Sequence, residues 1–369
     1  MNKNKRVIKR FLEYVKIDSP TNYENNFKEH LKKELLELGL EVYEDEAGKK
    51  AGSNSGNLIA KLSGTGDKTI LFSAHMDTVS PGINIKPCIK GDVIYSDGTT
   101  ILGGDDKAGV AAIMEMLTVL KEEKISHKNI EVVFTIAEES GLQGSKYLEY
   151  SKLKADFAVV LDTIGPIGSV LTQGPSKNKI TVNFKGKAAH AGMSPERGVS
   201  AIKIAANAIN NMKLLKIDDE TTANIGSISG GTSANIVPDN VEIIAEVRSF
   251  DEKKLKKQTE HILSCVKSAQ AIYGIEADFK VEKAYKSFKL SESSLAIQSV
   301  KKACEVLGFD FKILKAMGGS DANNFNENAI SAVNIGIGMT NCHGLDECIK
   351  MQDIIDCSKL ILQIVRFDN

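Results

Sequence analysis

The feature that most constrains this chain is a set of short apolar runs, each ending in a histidine or a carboxylate. The first is Thr69 to Ala74, which leads into His75-Met76-Asp77. Residues i and i+2 of an extended chain point to the same side. His75 and Asp77 are therefore expected to face the C-terminal end of a buried strand, where open α/β sheets place their sites. A core histidine bonded to a neighbouring aspartate would give the same pattern, so one such pair decides nothing. Four more acidic or histidine clusters follow at comparable points. Ile130 to Ile136 leads into Ala137-Glu138-Glu139-Ser140-Gly141, and Asp162 closes the run from Ala158 to Leu161. Asn341-Cys342-His343-Gly344 follows the run from Val333 to Ile337, and Gly103-Gly104-Asp105-Asp106 precedes a helix predicted over Ala108 to Lys121.

The alternation of these strands with helical spacing (Val110, Ile113, Met114, Leu117 and Leu120 on one face) predicts a layered α/β domain. Its centre would be a mixed sheet flanked by helices. After Gly174-Pro175-Ser176 the texture changes: Lys179 to Gly186 alternates with period two, as a half-exposed strand does. Strands at Thr222 to Ser229, Val241 to Arg248 and Ala277 to Glu282, with helices at Ser200 to Met212 and Lys254 to Ile272, complete an α+β module. The expected architecture is thus one α/β domain, residues 1–176 and 287–369, interrupted over residues 177–286 by a four-stranded antiparallel sheet with two helices.

With 369 residues and a net charge of −1, the chain suits two domains and offers no electrostatic case for binding nucleic acid or an anionic membrane. No apolar run approaches a membrane span. The basic start Met1 to Arg6 leads into the amphipathic stretch Val7 to Val15, not a signal-peptide core. The six cysteines are scattered without a CxxC pair, as in a reduced cytoplasmic protein, and sulfur-rich structural zinc is excluded. Cys342, beside His343, is read as a small neighbouring side chain.

Taken alone, Asp105-Asp106 could simply cap a helix and Glu138-Glu139 could simply be solvated. Taken together, His75, Asp105, Glu139, Asp162 and His343 offer imidazole and carboxylate ligands at strand ends. With one carboxylate shared, they make two sites with open positions, suited to Zn, Mn or Co. Of the two adjacent glutamates, one could bind metal while the other takes a proton from water.

The order and spacing of these segments strongly resemble the M20 family of di-metal peptidases and amidohydrolases, in its peptidase T-like branch. The resemblance rests on Ser73 to Val79, Gly104 to Gly109, Ala137 to Gly141, Leu161-Asp162 and Cys342 to Gly344, and within the module on Ala189-His190-Ala191-Gly192 and Ala234 to Pro238. It implies that His75, Asp105 and Asp162 hold one metal and that Asp105, Glu139 and His343 hold the other, Asp105 bridging. It implies Glu138 as general base, Asp77 as the carboxylate that orients His75, and a cis peptide after Asp105. The module would be a lid and dimerisation domain, whose His190 stabilises an oxyanion in the partner subunit of a homodimer. Asn235 and Arg248 would contact substrate, as would the glycine-rich turn at Gly319 and Ser320. The implied metal pair is most often zinc, and the implied reaction is hydrolysis of an amide bond near one end of a short peptide. An aminoacylase, another N-acyl amino acid amidohydrolase or a carboxypeptidase is the alternative within the family. A binding module that kept only the fold is disfavoured, because every expected ligand and the presumed base are present. A serine nucleophile at Ser320 is disfavoured because no G-x-S-x-G elbow surrounds it.

Overall fold

A computed structural model describes residues 3–367. The chain divides into two compact units, Met1–Gly174 with Lys289–Asn369, and Pro175–Phe288.

The larger unit is built on an eight-stranded sheet in the order Glu41–Glu44, Leu58–Leu62, Asn129–Thr135, Thr69–His75, Phe157–Thr163, Ala332–Gly336, Ser169–Leu171, Lys312–Leu314. Its four central strands, from Asn129–Thr135 to Ala332–Gly336, run parallel, with antiparallel pairings on both flanks. The central strands are almost wholly buried and apolar, as strands covered on both faces must be. Because they are parallel, their C-terminal ends share one edge. His75, the loop after Thr135, Asp162 and the loop after Gly336 all lie along it.

The helix Gly104–Glu123 is buried continuously from Gly104 to Leu120, which explains why it is apolar on every side. It packs against the C-terminal helix Met351–Val365 and the N-terminal helix Lys3–Tyr14. Its one deeply buried carboxylate near that contact, Glu115, is paired with Arg6 and Arg10 at 2.8 and 2.9 Å. Gly109 sets how closely the helix approaches the sheet: a Cβ there would lie 2.6 Å from the carbonyl oxygen of Leu161. A small antiparallel sheet, Cys88–Lys90, Val93–Tyr95 and Cys348–Lys350, closes the base of the His343 loop. The sequence carried no clear signal for it.

The smaller unit holds a five-stranded antiparallel sheet in the order Leu215–Lys216, Thr221–Gly230, Asn240–Ser249, Ser176–Lys185, Ala277–Tyr285. Four of these strands are the predicted ones. The fifth, Leu215–Lys216, corrects the four-stranded expectation: it is two exposed residues long, too short for any periodicity to register. Burial alternates along Ser176–Lys185 and Asn240–Ser249, so Ile180, Val182, Phe184, Ile243 and Val247 meet the helices Ala201–Asn211 and Glu252–Tyr273 in a separate core. Ser200 and Asp251 start these helices by accepting the backbone N–H of Lys203 and Lys254. Among the described residues no helix is long and apolar enough to cross a membrane.

Candidate metal centre

The cis peptide between Asp105 and Asp106 separates two carboxylates that the sequence sets side by side. Asp106 turns into the protein: it accepts the N–H of Gly109 at 3.2 Å, capping the helix, and that of His75 at 3.1 Å. Asp105 turns toward the histidines. Its Oδ1 lies 2.9 Å from His75 Nε2, and its Oδ2 lies 3.3 Å from His343 Nε2. The two readings of the acidic pair, cap and ligand, are thus divided between its members.

Around that carboxylate the remaining groups close into triads whose donor atoms lie within 4.8 Å of one another: His75, Asp105 and Asp162, then Asp105, Glu139 and His343. His75 Nε2 stands 3.9 Å from Asp162 Oδ1, and His343 Nε2 stands 2.8 Å from Glu139 Oε1. His75, Glu138 and Glu139 bring their ligand atoms equally close, so position alone does not distinguish Glu138 from the ligands.

The electrostatics explain what such a cluster needs. Burial, reinforced by the charge of Asp162, pushes the Glu138 carboxyl well above the usual range. Burial and the charge of Asp105 do the same to Asp162. Burial by itself would lower the His75 imidazolium, but its contacts with Asp105 and Asp77 outweigh this and raise it well above normal. Hydrogen bonds to Asp105 and Glu139 hold His343 up at about 10. Asp105 is driven low, because both histidines together outweigh its burial. Buried carboxylates held this close require positive charge, supplied either by protons or by cations. An imidazole and carboxylate set with one shared carboxylate fits a pair of divalent cations of the Zn, Mn or Co type.

The backbone carrying these groups is held by other buried acids. Asp77 accepts the N–H of Glu138 at 2.9 Å through Oδ1, and through Oδ2 the N–H of Glu139 at 3.2 Å and the Thr21 hydroxyl at 2.9 Å. Its Oδ1 lies 3.5 Å from His75 Nδ1, whereas its own backbone carbonyl lies 2.8 Å from that nitrogen. Asp77 thus faces His75 Nδ1 with both its main chain and its carboxylate, and the same carboxylate supports the glutamates. Glu24 accepts the N–H of Ala137 at 3.0 Å. Asp321, in the glycine-rich turn, is buried and accepts the Thr135 hydroxyl at 2.5 Å and the Ser145 hydroxyl. Beside it Ser320 is buried, with its N–H given to Asn323 at 3.1 Å, and Gly319 is half-buried. Thr21, Glu24, Asp321 and Glu347 escaped the reading of the sequence. Each bonds to a group far away along the chain, Glu347 to the N–H of Asp105 at 3.0 Å, and no local pattern marks that.

In the smaller unit His190 and Asn235 are exposed and adjacent: a bridge joins His190 to Ile236, and Ala191 N–H donates to the Asn235 carbonyl at 2.9 Å. His190 Nδ1 accepts the N–H of Met193 at 3.1 Å and of Gly192 at 3.2 Å, which leaves Nε2 as the outward nitrogen. Arg248 sits at the opposite end of its strand, paired with Glu246 at 2.7 Å. Within one copy of this unit it does not join His190 and Asn235.

The profile of peptidase family M20/M25/M40 matches residues 71–366. The chain belongs to this family. Among its relatives, the YqjE protein of Bacillus subtilis is 40% identical over 366 residues, covering 99% of each chain, and a peptidase T of Clostridium botulinum is 27% identical over 409 residues, covering 98% of each. In three dimensions this M20 peptidase is similar to a tripeptidase from Staphylococcus aureus (TM-score 0.91, 39% identity) and to the aminopeptidase PepT from Bacillus cereus (TM-score 0.86, 41% identity). Each comparison covers 98% of both chains.

Proposed function

We propose that this M20 peptidase is a di-metal aminopeptidase of the peptidase T type, acting on short peptides such as tripeptides. The observation that carries the reading is the Asp105 carboxylate, placed with one oxygen toward His75 and the other toward His343. Likeness along nearly the whole chain to a tripeptidase and to an aminopeptidase supports the substrate class.

In this reading His75, Asp105 and Asp162 hold one cation, and Asp105, Glu139 and His343 hold the other. Zinc is the first choice, with Mn or Co as alternatives. Bound there, the cations would supply Lewis acidity and acidify water toward neutral pH. Glu138 accepts the proton of the attacking water and passes it to the leaving amine. Burial of this carboxyl favours its protonated form, the form it holds between those steps. Asp77 holds the backbone of Glu138 and Glu139 in place. The unit Pro175–Phe288 serves as lid and dimerisation domain, so that His190 of a second copy donates a hydrogen bond to the oxyanion. Asn235, Arg248 and the glycine-rich turn at Gly319 and Ser320 contact the substrate. The cysteines of the described residues are all unpaired, in keeping with a cytoplasmic protein.

The test is the metal-stripped protein reconstituted separately with Zn, Mn and Co and offered tripeptides, dipeptides, N-terminally blocked peptides and N-acyl amino acids. Release of the N-terminal residue from tripeptides, abolished by chelation, is the expected result. Preference for N-acyl amino acids would make it an amidohydrolase, and cleavage of blocked peptides from the C-terminus would make it a carboxypeptidase.

A further inference from the structure

We propose that Glu347 is a positioning residue of the second cation site, tying the Asp105 loop to the His343 loop. The inference rests on the di-metal reading above. Glu347 is buried, and its carboxylate accepts three backbone N–H groups: Leu102 at 2.7 Å and Gly103 at 2.8 Å on Oε2, and Asp105 at 3.0 Å on Oε1. These amides lead into the cis peptide and, at Asp105, belong to the residue whose carboxylate faces both histidines. Glu347 is also four residues beyond His343. The intervening turn is closed by Gly344 N–H to the Asn341 carbonyl at 3.0 Å and Glu347 N–H to the Gly344 carbonyl at 3.1 Å, above the bridge between Thr340 and Cys348. One carboxylate thus fixes, over a short stretch of chain, the distance between two ligands that lie far apart in sequence.

Three charge-assisted bonds to one buried carboxylate leave the loop little freedom. An amide in its place cannot reproduce them: one oxygen becomes an N–H donor facing backbone donors, and at least one amide is orphaned. Gly104 offers an independent perturbation that keeps the carboxylate. A Cβ there would lie 3.0 Å from Glu347 Oε1, close enough to displace it by a few tenths of an ångström.

The test uses the full chain stripped of metal and titrated with Co²⁺, read by visible absorption and by competition with a chromophoric chelator. Wild type is expected to take up two ions. Glu347→Gln is expected to bind one of them about 10- to 100-fold more weakly, the range typical of groups that orient metal ligands, with an altered ligand-field band. Gly104→Ala should shift affinity in the same direction by less. Ser294→Ala, which removes the cap of the helix Leu295–Leu307, is the stability control: it should lower the melting temperature without moving Co²⁺ affinity. Wild-type affinity and spectrum in Glu347→Gln would overturn the proposal. So would a loss of affinity no greater than that of Ser294→Ala at equal loss of melting temperature. If Glu347→Gln does not fold, Gly104→Ala decides: unchanged Co²⁺ binding there refutes the role. Wild-type protein that binds no Co²⁺ refutes the di-metal reading itself, a result separate from failure of Glu347 alone.

Discussion

The candidate ligand loops of the larger unit and the His190 and Asn235 loops of the smaller one are held in different ways. Behind Asp105 stands Glu347, and behind Glu138 and Glu139 stand Asp77 and Glu24, each a buried carboxylate accepting backbone N–H groups. His190 and Asn235 are exposed and fastened through each other's main chain. The difference follows from what each group must do. Buried like charges repel, and only a framework fixed beforehand keeps them within reach of a shared cation. An exposed donor in water carries no such penalty, and its loop can be shaped by main-chain bonds alone.

The comparison breaks first at Glu138. Glu138→Gln keeps size and removes the proton acceptor, so kcat should fall by about 10³-fold or more while metal content, measured by elemental analysis, is retained. Near-normal turnover would remove Glu138 from the chemistry. In the other region, His190→Ala should lower kcat by about 10²-fold with little change in KM, as loss of an oxyanion donor does. Because the side chain is exposed, the melting temperature should hardly move. Sedimentation of the wild type tests the trans arrangement: a stable, active monomer would exclude it.

Asp77→Asn sharpens the contrast from the supporting layer. An amide now faces the N–H of Glu138 or Glu139, and activity is expected to drop about 10- to 100-fold, with weaker metal binding as well. The same change acting chiefly through His75 would perturb the first triad and leave the second intact, which Co²⁺ titration distinguishes.

The smallest effect is one of pH. Asp162 has raised proton affinity in the metal-free fold. Its contribution to stability is therefore complete below about pH 4, where the unfolded chain also holds that proton, and is lost as pH rises through the raised value. His343, held near 10, likewise keeps its proton at neutral pH. A cation must displace these protons, so the gain in melting temperature on adding saturating Zn²⁺ should grow from pH 5 to pH 8. A gain independent of pH would mean that these groups are not the ones giving way to metal.

Much of the site was legible because a parallel sheet turns a linear pattern into a spatial one. An apolar run ending in His75 or Asp162 specifies both a strand and the end at which its side chain emerges. The peptide bond after Asp105 is cis, as the family resemblance implied, and the divergence of Asp105 from Asp106 shows only in three dimensions. The same holds for the fifth strand of the smaller sheet, for the main-chain contact that orients His75, and for the separation of Arg248 from His190.

The sequence by itself determined the architecture and the chemical character of the centre. Strand periodicity, apolar runs and the residue types at their ends are local properties, and the parallel arrangement gathers those ends along one edge. Tertiary structure alone decided which carboxylate faces which histidine, and which buried acids hold the loops. Those choices depend on hydrogen bonds between segments as distant as Glu347 and Asp105, and no local pattern records a partner so far along the chain.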